Sequence, residues 1–163
     1  MRSDMTWVSN TENMVKKANK RLWIVRRLKQ LGAQQDDLID LYIKQIRSVL
    51  ELAVPAWHGD ITQVERMDIE RIQKSAAHII LGERYISYRQ ALKTLNLQSL
   101  QSRRDKLCLK HTKFQKWFKP AHYSQDTRQE KFKYCKVQAK HNRFEKSPLC
   151  FLTKMLNAYH NRQ

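Results

Sequence analysis

The adjacent acids Asp36 and Asp37 are the first residues of a type able to carry chemistry, because paired carboxylates hold the Mg²⁺ ions of two-metal phosphoryl transfer. Such acids need a rigid strand turn and a third carboxylate beside them. This pair follows Gly32 and precedes Leu38, Leu41 and Tyr42, the place of helix-opening acids that face the positive end of a helix dipole. It is therefore assigned to a helix start. The second set is Cys108-x-x-His111, with His122, Cys135, His141 and Cys150 downstream, all of zinc-ligand type. No CxxC pair occurs and the spacings fit no finger or knuckle, so these read as unlinked thiols and surface imidazoles. No catalytic residue, metal or cofactor is expected.

The remaining candidates are cations. Lys16, Lys17, Lys20, Arg21 and Arg27 crowd one stretch with Trp23 among them, and Arg103, Arg104 and Lys106 form another. Side chains of this kind contact phosphates, and an aromatic between them either stacks on a sugar or base or serves packing. The chain holds 32 Lys and Arg against 15 Asp and Glu, a formal net charge of +17, which points to a polyanionic partner, most commonly nucleic acid. The charge is uneven. Between Gln34 and Gly82 eight acids outnumber five bases, so the positive excess lies in the flanking stretches and favours a binding surface. A solvated face, a membrane-surface helix and a calmodulin-target helix are the competing uses of such a basic stripe.

The elements that must position these residues are helices. With 163 residues the chain forms about one domain, and only three Gly and three Pro leave too little punctuation for an all-β fold. The first helix spans Ser9 to Gly32, with Ser9 or Asn10 as its cap, Glu12 in its first turn and Gly32 as its stop. Met14, Val15, Ala18, Leu22 and Val25 share one arc, Lys16, Lys20 and Arg27 the opposite one, and Trp23 lies toward the basic side. A second helix runs from Gln34 to Ala53 or Val54, ended by Pro55, and carries Leu38, Leu41, Tyr42, Ile46, Val49 and Leu50. Thr62 caps a third, with Val64, Ile69, Ile72, Ala76, Ile79 and Ile80 inward and Gly82 as its end. Helices two and three form the core. Ser87 caps a short fourth helix, and Ser99 opens a fifth that ends at Pro120.

Residues 1–8 read as the end of a strand or hairpin, as if the chain began in the middle of something. From Lys119 to Glu145 the apolar pattern fails, and a basic, flexible stretch is expected there. Ser147-Pro148 then starts a short helix near 148–157. The expected fold is an all-α bundle of about five helices, with a remnant at 1–8, a helical domain at 9–118 and a tail at 119–163. The longest apolar run, Leu52 to Trp57, is too short for a membrane span, and no signal-peptide pattern follows Arg2. Three widely spaced cysteines indicate a reducing compartment, so the expectation is a soluble intracellular chain, nuclear or cytoplasmic, without a membrane partner.

Several strings resemble, in order and spacing, the region just after the palm in non-LTR (LINE-type) retrotransposon reverse transcriptases. They are KANKRLW at 17–23, IRSVLELA at 46–53 followed by Pro55 and Trp57-His58, and IERIQKSA at 69–76 ending in Leu81-Gly82. Tyr88-x-x-Ala91-Leu92-x-x-Leu95 and Leu100-x-x-Arg103-Arg104-x-x-Leu107 continue the pattern, and Arg143 to Asn157 looks like a weaker copy of the family's C-terminal end. The resemblance covers most of residues 1–118. It implies a thumb and C-terminal region, in which the first helix lies along the template–primer backbone. The family's aromatic-x-Asp-Asp motif and its palm are absent from the sequence. The resemblance therefore implies a non-catalytic fragment of an RNA-directed DNA polymerase that binds RNA or DNA through the phosphate backbone. Two other readings stand beside it. One is a helical interaction or oligomerisation module using the seam left by the missing palm; the other is a relic reading frame.

Overall fold

The computed structural model describes residues 7–112, 118, 121, 134–135, 142–145 and 147–161. Among them the chain is an all-α assembly, with Tyr134 in an isolated bridge. It divides into two compact units, Met1–Leu52 with Ile61–Arg103, and Ala53–Asp60 with Arg104–Gln163. The division passes through one helix.

In the first unit α1 (Val8–Gln30) packs chiefly on α5 (Gln63–Leu81). Thr11, Met14, Ala18, Leu22 and Val25 are its buried face, which repeats every three or four residues as helix packing requires. The helix begins one residue before the expected start, so Val8 belongs to it and is no strand remnant. Neither Ser9 nor Asn10 caps it; the preceding residue is Trp7, whose carbonyl accepts from the Thr11 backbone N–H at 2.9 Å. Its end follows expectation. Gly32 has φ +84°, the Ala33 N–H donates to Leu28 O and the Gly32 N–H to Lys29 O, both at 3.1 Å, which is a Schellman stop.

The second helical stretch comprises α2 (Gln35–Leu41), a π-helical turn (Tyr42–Arg47) and α3 (Ser48–Leu50). Leu38, Tyr42, Ile46 and Leu50 are spaced by four and all are fully buried. In an ideal α-helix that spacing would drift about 40° per step, so the widened turn keeps all four on one face. The stretch ends at Leu50, short of Pro55. Ala53 takes a left-handed conformation (φ 51°) and Pro55 instead lies in the first turn of α4 (Val54–Trp57).

Helix α5 starts with a full capping box, Thr62 Oγ1 accepting from the Glu65 N–H and the Glu65 carboxylate accepting from the Thr62 N–H at 2.8 Å. Ile69, Ile72, Ala76 and Ile80 are buried as expected and Ile79 is half-buried, but Val64, expected inward, is 61% exposed. Inside the unit, Tyr42 donates to Gln73 Oε1 at 3.0 Å and Gln73 Nε2 donates to Gln98 O at 2.9 Å. The carbonyl and the amino group of this buried amide are thus each bonded, at about 1 kcal/mol per bond. Ser87 caps α6 (Tyr88–Thr94) as expected. Glu70, which also accepts from the Tyr88 hydroxyl, takes the Leu100 and Gln101 N–H groups at 3.2 and 3.3 Å and so caps the start of α7 (Leu100–Thr112) from another helix.

In the second unit α4 packs on α9 (Pro148–His160), which Ser147 caps. The α9 helix runs past the expected end near 157. The Phe151 ring meets the buried His58 ring edge-on at 5.6 Å, and His58 Nε2 lies 2.9 Å from Asp105 Oδ1. A Cβ on Gly59 would sit 2.5 Å from Phe151 Cγ, so only glycine permits this approach. The short helix α8 (Asn142–Glu145) precedes α9, and Lys154 pairs with Glu145 at 2.7 Å. Most of the basic stretch from 119 to 141 lies outside the described residues.

Candidate nucleic-acid interface

Among the described residues, exposed cations cluster on the outer face of α1. Lys16, Lys20, Trp23 and Arg27 stand at i, i+4, i+7 and i+11, one row about 16 Å long on the side opposite the buried arc. All four are exposed, Trp23 to 65%. Lys17 flanks the row and is also exposed. On the other flank is exposed Arg26, which sequence reasoning left out; it lies about 80° from Ala18, beside the apolar arc. Its availability depends on no neighbour covering that edge. Among the described residues, no carboxylate lies within ion-pair distance of Lys16, Lys17, Lys20, Arg26 or Arg27. Like charges four apart weaken a helix by a few tenths of a kcal/mol, so this face is maintained against local helix stability. At the helix end Arg27 and Lys29 do meet the favourable negative pole of the dipole.

Arg21 and Arg103, also of this unit, are instead held by partners within the fold. Arg21 is half-buried, and its Nη1 donates to the Gln45 carbonyl in the π turn. Arg103 grips Glu51 with two bonds, Nε to Oε1 at 2.5 Å and Nη2 to Oε2 at 3.0 Å, and Arg47 Nε lies 3.8 Å from the same carboxylate. That hydrogen bond to Glu51 holds the Arg103 pKa up, while burial, and then the charge of Arg103, push the Arg47 pKa down. Arg103 is therefore a structural partner of Glu51.

Arg104 corrects the sequence expectation outright. It is fully buried, on the α7 face that also buries Leu100, Cys108 and Thr112 at steps of four, and a phosphate has no access to it. Of the three cations expected on this helix, Lys106 is the exposed one, and it belongs to the second unit.

Asp36 and Asp37 stand exposed in the first turn of α2, in the helix-start position. Cys108 and Cys150 are buried and Cys135 is exposed, all as free thiols. Burial, and secondarily the charge of Asp105, pushes the Cys108 pKa up to about 12. The thiol is protonated at neutral pH and serves packing. Among the described residues no three His, Cys, Asp or Glu side chains group as metal ligands, and His122 and His141 lie outside those residues. Among the described residues no helix is long and apolar enough to cross a membrane. Compared with protein-family models, with curated proteins and with solved structures, the chain matches none.

Proposed function

We propose that this chain binds RNA or DNA through the sugar–phosphate backbone, as a non-catalytic thumb and C-terminal fragment of a non-LTR retrotransposon reverse transcriptase. The observation that carries the binding reading is the row Lys16, Lys20, Trp23, Arg27, flanked by Lys17 and Arg26, in which no cation meets a carboxylate of the described residues. Contacts of this kind are to phosphates, so they are insensitive to sequence and steeply sensitive to salt. Trp23 adds a ring able to stack on a sugar or base. The family reading rests on the strings at 17–23, 46–53 and 69–76. Of the sequence-derived binding set, Lys16, Lys17, Lys20, Trp23 and Arg27 carry the proposal. Arg21, Arg103 and Arg104 are given structural work.

Binding to an RNA–DNA hybrid or a duplex is expected near 50 mM salt and is expected to fall steeply by about 200 mM. Replacing Lys16, Lys20 and Arg27 together by Ala is expected to lower the slope of log K against log salt by about 3, with circular dichroism unchanged. No shift at low salt with micromolar protein overturns the binding reading. An unchanged slope in the triple variant moves the interface away from α1. A salt-insensitive oligomer free of nucleic acid favours the interaction module instead.

A further inference from the structure

We infer that the second unit holds a cleft for an unstacked nucleobase together with its phosphate, a site separate from the α1 face and independent of whether that face binds. The cleft has a volume of about 460 Å³, within the range of small-ligand sites, and its walls include Lys106, Lys110, Tyr134, Leu156, Tyr159 and His160. Three features select the ligand class.

The first is aromatic. The Tyr134 and His160 rings lie 5.7 Å apart at 43°, and the Tyr159 and His160 rings 5.7 Å apart at 75°, so flat rings at different tilts line the wall above the buried Leu156. Such a wall suits a flat heterocycle, which gains from stacking whichever base it is.

The second feature is cationic. Lys106 and Lys110 are one turn apart on α7, both exposed, at about 6 Å along the axis, and both border the cleft. A ligand with a phosphate beside its ring meets the aromatic wall and the Lys110 ammonium together, whereas a purely apolar ligand leaves that ammonium facing it.

The third is rigidity. The buried Asn157 side chain holds the Tyr134 backbone at both groups, Oδ1 accepting from its N–H at 3.0 Å and Nδ2 donating to its carbonyl at 3.1 Å. The Tyr134 backbone is thereby tied to α9, the helix that supplies Tyr159 and His160, which reduces the ordering a ligand must impose. The shared chemistry is a nucleotide unit, whether free or as an unstacked residue of a single strand.

The test uses the full chain and fluorescence anisotropy with two labelled probes, a short oligothymidylate and an abasic deoxyribose-phosphate strand of the same length. Tyr159→Ala removes a ring that is 45% exposed, so the fold should survive, with circular dichroism as the check. The variant is expected to lose about fivefold or more in affinity for oligothymidylate and nothing for the abasic strand. Lys106→Gln with Lys110→Gln is expected to weaken both probes. Competition by thymidine monophosphate in the parent chain, abolished by Tyr159→Ala, assigns the site to free nucleotides; base-selective loss without competition assigns it to strands. Equal loss of both probes in Tyr159→Ala, or no loss of either, overturns the proposal. The α1 triple variant separates the two sites, because it should weaken both probes alike and leave the preference for bases in place.

Discussion

The outer row of α1 and the buried row of α7 share a residue type and end in opposite states. On α1, Lys16, Lys20 and Arg27 point to solvent and are backed by an apolar arc that the rest of the unit covers. On α7, Arg104 lies on the covered side itself, in line with Leu100, Cys108 and Thr112, and Arg103 beside it is taken up by Glu51. A count of cations therefore overstates the charge available to a ligand. What decides availability is which helix face a neighbour occupies, and whether a carboxylate comes within reach.

The largest expected effect is on Cys108, one turn beyond Arg104. A thiol pushed from the ordinary 9.0 up to about 12 holds about a thousandfold less thiolate at neutral pH, and Cys108 is buried besides, so alkylation there should be far slower than at exposed Cys135. The sign for stability follows from the raised value. Below about pH 9 the thiol is neutral in both states, and as pH climbs from there toward 12 the unfolded chain ionises first, so stability declines across that window. Equal labelling of Cys108 and Cys135 in the folded chain would place the α7 row at the surface.

Next is Arg104→Ala, expected to lower stability by about 3 kcal/mol in urea unfolding, since a long buried side chain is removed together with its packing. Removing Lys16, Lys20 and Arg27 together is expected to cost under about 1 kcal/mol. Similar unfolding midpoints for the two variants would erase the contrast between the rows.

A smaller effect is expected for Glu51→Gln. It removes the carboxylate between Arg103 and Arg47 at a cost of about 1 kcal/mol, and it should tighten nucleic-acid binding by releasing Arg103. Weaker binding would show that the pair positions the interface and does not merely occupy a cation. The smallest is Lys20→Ala, which relieves the like-charge pair with Lys16 and adds a stronger helix former. Stability should rise by about 0.3 kcal/mol while binding falls, and a loss on both counts would mean that Lys20 has a folding role.

Much of the fold was legible locally. The Thr62, Ser87 and Ser147 caps and the Gly32 stop are set by short-range hydrogen bonds, and all stand where the pattern puts them. The arc Met14, Ala18, Leu22, Val25 also required only the helical period, and with it came the exposure of Lys16, Lys20 and Arg27 on the opposite side. The α1 half of the candidate interface was thus readable before folding. The π turn was not, although the four-residue spacing from Leu38 to Leu50 is its signature, because an ordinary helix carries apolar residues at similar steps.

Sequence alone determined that the chain is helical, strongly basic and amphipathic at its start, since period and composition are properties of neighbouring residues. Tertiary structure alone decided the fates of Arg103, Arg104 and Arg21. Their partners and covers come from residues distant along the chain, Glu51 at 52 positions from Arg103 and Gln45 at 24 from Arg21. It likewise brought Tyr134 to Asn157 and its ring to His160, and so made a cleft from residues that share no motif. A cation's character is local, but its freedom to bind is set by what folds against it.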